Sequence, residues 1–129
     1  MLESMRRFKA EVFQALAHPT RVAIVEHLAQ GELSVGQLCA KVEIGQANAS
    51  KHLSILRSKH IVQARKAGNQ TFYRLRDPAF GKVLSALREY FLAHVAEVLQ
   101  LLQREQAQAE NLQTGPASPA SKARRRAQG

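Results

Sequence analysis

Apolar residues near the start of the chain recur at helical steps. Met5, Phe8, Val12 and Leu16 fall three and four positions apart, so residues 4–17 predict a helix with one apolar face. His18-Pro19-Thr20-Arg21 interrupts that pattern and begins the next helix, because proline is tolerated in a first turn where its missing N–H costs nothing. Val22, Ile24, Val25 and Leu28 then predict a mostly buried second helix ended by Gly31. Ser34 opens a third. Gln37 follows three positions later, the S-x-x-Q spacing of a capping box. Val35, Leu38 and Val42 turn to the core, Ile44-Gly45 is the turn, and Gly45 is expected to permit the backbone geometry there.

A fourth helix is predicted over residues 46–59. Ala49, Leu53 and Leu56 share a narrow arc that packs inward. Ala47, Ser50, Lys51 and Ser54 fall on the other side and are small, polar or basic, which suits close approach to base edges and phosphates. Residues 61–66 and 70–75 predict two short strands around Ala67-Gly68-Asn69, a hairpin turn signal. Asp77 caps a last helix with Pro78 in its first turn. Its apolar positions Phe80, Leu84, Leu87, Phe91, Val95, Val98 and Leu102 recur near a heptad period, with Val83, Leu92, Leu99 and Leu101 widening the stripe. One small domain cannot cover so apolar a helix. The first and last helices therefore predict a homodimer seam, with Phe8, Val12, Leu84, Leu87, Phe91, Val95, Val98 and Leu102 in it. The expected fold class is mainly α with a small β-hairpin wing, a winged helix-turn-helix over residues 1–110.

Charge sharpens this picture. The net charge is +9, which favours an anionic partner. From Lys41 to Arg76 there are eight basic side chains and one acid, Glu43, so the excess is local to the helix-turn-helix and hairpin. Residues 111–129 are rich in Gly, Pro, Ser and Ala and carry Lys122, Arg124, Arg125 and Arg126. They predict a disordered basic tail, either a non-specific phosphate contact or simply a solubilising segment.

Other function classes find little support. The single cysteine, Cys39, excludes an internal disulfide and a multi-cysteine metal cage within one chain. No apolar run approaches the ~18 residues of a membrane span, and the N-terminus has no secretory apolar region. A reducing cytoplasm is the expected location. No Ser/His/Asp or Cys/His arrangement stands at catalytic spacing, and no Gly-rich phosphate loop is present, so no enzymatic activity is expected. No basic amphipathic helix is available for a membrane surface.

Three strings in order, LAHPTR over residues 16–21, SKHLSILRSKHIV over residues 50–62 and TFYRL over residues 71–75, resemble the ArsR/SmtB family of winged-helix bacterial repressors. The resemblance covers roughly residues 13–76. It implies a dimeric repressor of operator DNA, on an inverted repeat, that lets go when an effector binds. It also implies that Gln46, Ala47, Ser50 and Lys51 occupy DNA-contact positions, with Ala47 standing where serine is usual. The residues agree, since Gln can pair with adenine, Ser with either partner, and Lys with guanine or phosphate. Asn48 and Ser54 complete the candidate helix contacts. His52 borders the buried arc and reads equally as a packing residue or a DNA contact. Arg65, Lys66, Asn69, Gln70 and Arg74 are the candidate wing contacts.

The family's metal-sensing patterns fail here. The C-V-C positions at the start of the third helix are Ser34 and Gly36. Of the four last-helix ligands only Asp77 survives, the others falling at Ala79, Tyr90 and Ala93. Neither site can be built, and no metal or cofactor is expected. His94-x-x-Glu97 reads first as a surface or interface pair, with a metal shared with a symmetry mate as the weaker alternative. Cys39 reads first as a small packing residue, with a thiol-based redox sensor as the sharper alternative. A non-specific nucleic-acid binder driven by charge is the other alternative. The effector is left open.

Overall fold

The computed structural model describes residues 1–114, which form five helices and a three-stranded sheet. The chain runs α1 (Leu2–Leu16), α2 (Pro19–Leu28), β1 (Leu33–Ser34), α3 (Val35–Val42), α4 (Gln46–Ser58), β2 (Val62–Ala67), β3 (Gln70–Leu75) and α5 (Ala79–Thr114). It divides into two units, one of Met1–Arg88 and one beginning at Glu89.

The first unit is built on a single apolar core. Ile24, Val25, Leu38, Ala49, Leu53, Leu56 and Ile61 are wholly buried, and Val12, Leu16 and Leu28 join them. Apart from Ile61, these are apolar positions of the helical periodicities, and each buried Leu, Ile or Val contributes roughly 1.5–3 kcal/mol. Val12 and Leu84, expected at a dimer seam, are buried within this core. Phe8 and Leu87, expected beside them, are more than half exposed.

The starts of α2, α3 and α5 each have a local cause. His18 is the N-cap of α2, its Nδ1 accepting the Thr20 N–H at 3.1 Å. Ser34 and Gln37 form the expected capping box on α3, with bonds of 3.2 and 2.9 Å. Asp77 accepts the Ala79 N–H at 2.8 Å at the start of α5. Gly81 is the close approach between α5 and the end of α2, since a Cβ there would stand 2.9 Å from the Ala29 Cβ.

The sheet and the turn between α3 and α4 also depart from the sequence expectation. The sheet has a third strand, β1, so short that no alternation reveals it. It pairs antiparallel with β3 through Leu33↔Tyr73 and Ser34↔Phe72, giving the order β1-β3-β2. The turn between α3 and α4 does not use Gly45 for its special geometry. Gly45 sits at φ −73°, open to any residue, and the left-handed residue is Glu43 at φ 59°. The Ile44 N–H returns to the Cys39 carbonyl at 3.1 Å and closes the helix end.

The second unit, as far as Thr114, is helical and has no buried residue. Tyr90, Phe91, Leu92, Val98, Leu99, Leu101 and Leu102 are exposed along it and Val95 is half-buried. Residues 111–114, expected in the tail, belong to α5. The remainder of the tail, with its KARRR cluster, lies outside the described residues.

Candidate nucleic-acid interface

α4 owes its position to its own two faces. Ala49, Leu53 and Leu56 anchor it in the core, and the opposite side carries Gln46, Ala47, Asn48, Ser50, Lys51 and Ser54, all exposed. No side chain caps its N-terminus, since Gly45 is the N-cap. The first bond into the helix is Ala49 N–H to the Gly45 carbonyl, so the N–H groups of the first turn ahead of it face outward without helical acceptors. Lys51 takes part in none of the ion pairs found among the described residues, which are Arg6–Glu3, Lys59–Glu11 and Arg65–Glu32. The surface is thus small and polar, positive at the helix start by its dipole, with one uncompensated ammonium.

His52 lies apart from that surface. It is 5% exposed and packs under α4 against α2, its ring centroid 4.4 Å from that of His18. Arg21 Nη1 stands 3.3 Å from His52 Nδ1, while Arg21 Nε donates to the Ala15 carbonyl at 2.5 Å. A guanidinium can only donate, so His52 Nδ1 is the acceptor and carries no proton in this arrangement. Burial pushes the His52 imidazole below its ordinary range, and the nearby His18, Arg21 and Lys51 push it further. The node ties α1, α2 and α4 together.

The hairpin register divides the basic wing residues between two faces. Gln63 pairs with Arg74 and Arg65 with Phe72, so these four share one face; Lys66 pairs with Thr71 on the other. On the first face Arg65 is already engaged. Its Nη2 donates to Glu32 Oε1 at 2.5 Å and its guanidinium lies 4.9 Å from the Phe72 ring centroid. The Arg65 hydrogen bond holds the Glu32 carboxyl below the usual carboxylate range, and the same bond raises Arg65. Arg74 donates from Nε and Nη2 to the neutral Gln63 Oε1, at 3.2 and 3.0 Å, so its charge is not cancelled there. Lys66, Asn69 and Gln70 are exposed at the tip, around Gly68 at φ +62°.

Glu32, His18 and Arg21 are the working residues that sequence reasoning did not assign. Glu32 lies 33 positions from Arg65, and no local pattern joins them. Cys39 is half-buried and packs on the core from α3. Tyr90 and His94 stack within α5, 6.1 Å between centroids. Among the described residues no three His, Cys, Asp or Glu side chains gather in a way that could hold a metal ion, and no helix is long and apolar enough to cross a membrane.

Residues 18–64 match the family described as bacterial regulatory protein, arsR family. The chain is 40% identical over 95 residues to the biofilm growth-associated repressor of Agrobacterium fabrum, a match covering 71% of this chain and 81% of the relative. The crystal structure of the transcriptional repressor BigR from Xylella fastidiosa superposes with a TM-score of 0.65 at 36% identity, covering 70% of this chain and 92% of that one. The homodimeric winged helix-turn-helix DNA-binding domain of Mb0332 from Mycobacterium bovis gives a TM-score of 0.67 at 26% identity, covering 74% and 88%.

Proposed function

The chain belongs to the arsR family of bacterial regulatory proteins, and on that premise we propose that it is a homodimeric, sequence-specific repressor of operator DNA. The observation that carries this reading is the outward face of α4. A helix anchored by three wholly buried residues presents Gln46, Ala47, Asn48, Ser50, Lys51 and Ser54 from an uncapped N-terminus. Those are side chains for groove edges and phosphates. Lys66, Asn69, Gln70 and Arg74 supply the wing's reach to the backbone, and Arg65 shapes the wing through Glu32.

The exposed Phe8 on α1 and the stripe of Leu87, Phe91, Val98 and Leu102 on α5 supply the apolar surface for pairing with a second copy. A two-fold pair places its reading helices ~34 Å apart on successive major grooves of an inverted repeat. The protein acts in the cytoplasm and has no catalytic role. Its effector is not a metal at the family's known positions, because Ser34, Gly36, Ala79, Tyr90 and Ala93 cannot ligate there as the family's residues do. Cys39 is a packing residue in this reading.

The test is a gel-shift titration of the full chain on its own upstream region against random duplex of equal length. Retardation of the upstream fragment at protein concentrations well below those for random DNA is expected. Equal retardation of both duplexes would favour the alternative, charge-driven non-specific binding.

A further inference from the structure

A cavity of about 680 Å³ lies between α1, the residues that follow α4, and the first turns of α5. Its volume falls in the range of small-molecule sites. Phe8, Val12, Phe13, Phe80 and Val83 give it apolar walls, and Phe8 and Phe13 are each more than half exposed within it. Its polar lining is lopsided. Lys9, Lys59 and Arg76 stand there against one carboxylate, Asp77. Arg76 takes part in no ion pair among the described residues. Its Nη1 stands 3.1 Å from His60 Nδ1, a ring nitrogen and not a carboxylate, so no ion-pair partner compensates the guanidinium charge there. Lys59 is held only loosely by Glu11 at 3.8 Å.

We propose that this cavity binds a small organic monocarboxylate with a hydrocarbon body, the body against the phenylalanines and the carboxylate at Arg76 and Lys59. The charges select among ligands. A cation is repelled by the rim, and a neutral apolar molecule leaves the cationic side chains unanswered. The position gives the ligand a route to the proposed DNA surface. Lys59 and His60 directly follow α4, and Arg76 directly follows β3, so filling the cavity bears on both the reading helix and the wing. That consequence rests on the repressor reading; the binding itself does not.

Decanoate, below its micelle concentration, is the probe. Isothermal titration calorimetry of the full chain should show saturable binding, with decanol and decyltrimethylammonium each weaker by about tenfold or more. Arg76→Gln should weaken decanoate binding by about tenfold while leaving the circular dichroism spectrum unchanged; Lys59→Gln serves if Arg76→Gln does not fold. Absence of saturable heat, equal binding of decanol, or unchanged affinity in the folded variant overturns the site. A Phe13→Ser chain that becomes monomeric while the wild type ignores decanoate assigns the cavity to the second copy and also overturns it. DNA affinity is measured separately with and without decanoate. Failure of the ligand-free protein to bind DNA selectively would remove the repressor reading and leave the calorimetry standing.

Discussion

Removing the Lys51 ammonium should change how DNA binding responds to salt by an amount that can be set in advance. Lys51 stands on the exposed side of α4, one turn from the uncapped helix start, and pairs with no carboxylate among the described residues. A lysine in that state that meets a phosphate releases one condensed counterion, worth about 0.9 in the slope of log affinity against log salt. Lys51→Ala should therefore flatten that slope by about 0.9, so that from about 50 to about 200 mM salt the wild type loses roughly 3.5-fold more affinity than the variant. Arg65→Gln is the internal control. Its charge is already answered by Glu32 through a bidentate contact, so its loss should leave the slope unchanged. Fluorescence anisotropy of a labelled operator duplex over a salt series reads both, with size-exclusion chromatography to verify that assembly is intact. A Lys51→Ala slope parallel to wild type would take Lys51 off the phosphates. A flattened Arg65→Gln slope would show that Arg65 leaves Glu32 when DNA arrives.

Three further outcomes follow from the packing. Ser34→Ala removes one half of the α3 capping box and should cost about 1 kcal/mol, read as a fall of several degrees in Tm; an unchanged Tm would mean that Gln37 alone holds the helix start. The His52 imidazole is held below its ordinary range, so the unfolded chain binds more protons there. Its contribution to stability is complete above the ordinary imidazole range and is lost as pH falls through that range and below. Urea midpoints from about pH 8 down to about pH 5 should fall more steeply in wild type than in His52→Gln, and parallel curves would refute the assignment. Gly81→Ala sets a methyl group 2.9 Å from the Ala29 Cβ, where neither atom can swing aside, and should cost about 1–3 kcal/mol. Ala29→Gly should recover most of that loss, and failure of the rescue would place the strain elsewhere.

The fold was legible where residues specify structure locally. The capping box at Ser34 and Gln37, the buried arc of Ala49, Leu53 and Leu56, and the turn at Gly68 all rest on neighbours within a few positions. What escaped was set by distant partners. β1 has two residues and no pattern of its own, and it exists because Tyr73 and Phe72 offer it a ladder. The left-handed residue after α3 is Glu43, two positions before a glycine that could have taken the role, and only the backbone distinguishes them. Val12 and Leu84 carry the same periodic signal as Phe8 and Leu87, yet lie in the chain's own core. Periodicity gives the face of a helix but not what covers it. His52 and Arg65 were recognisable as candidate site residues. Their engagement by Arg21 and by Glu32 depends on contacts 31 and 33 positions away.

The bare start of α4 has a consequence for anyone who sets out to make this protein more robust. α3 closes its first turn with its own Ser34 and Gln37; α4 begins at Gly45 with nothing to close it. A selection for thermal tolerance would reach that position, because aspartate or serine at position 45 accepts an idle N–H and gains a few tenths of a kcal/mol, roughly 0.3, over glycine. On the proposed DNA face the same change withdraws a donor from phosphate, and aspartate adds a repelling charge. Hardiness and repression then trade against each other at one residue, and a screen that scores only survival on heating would enrich chains that no longer hold their operator.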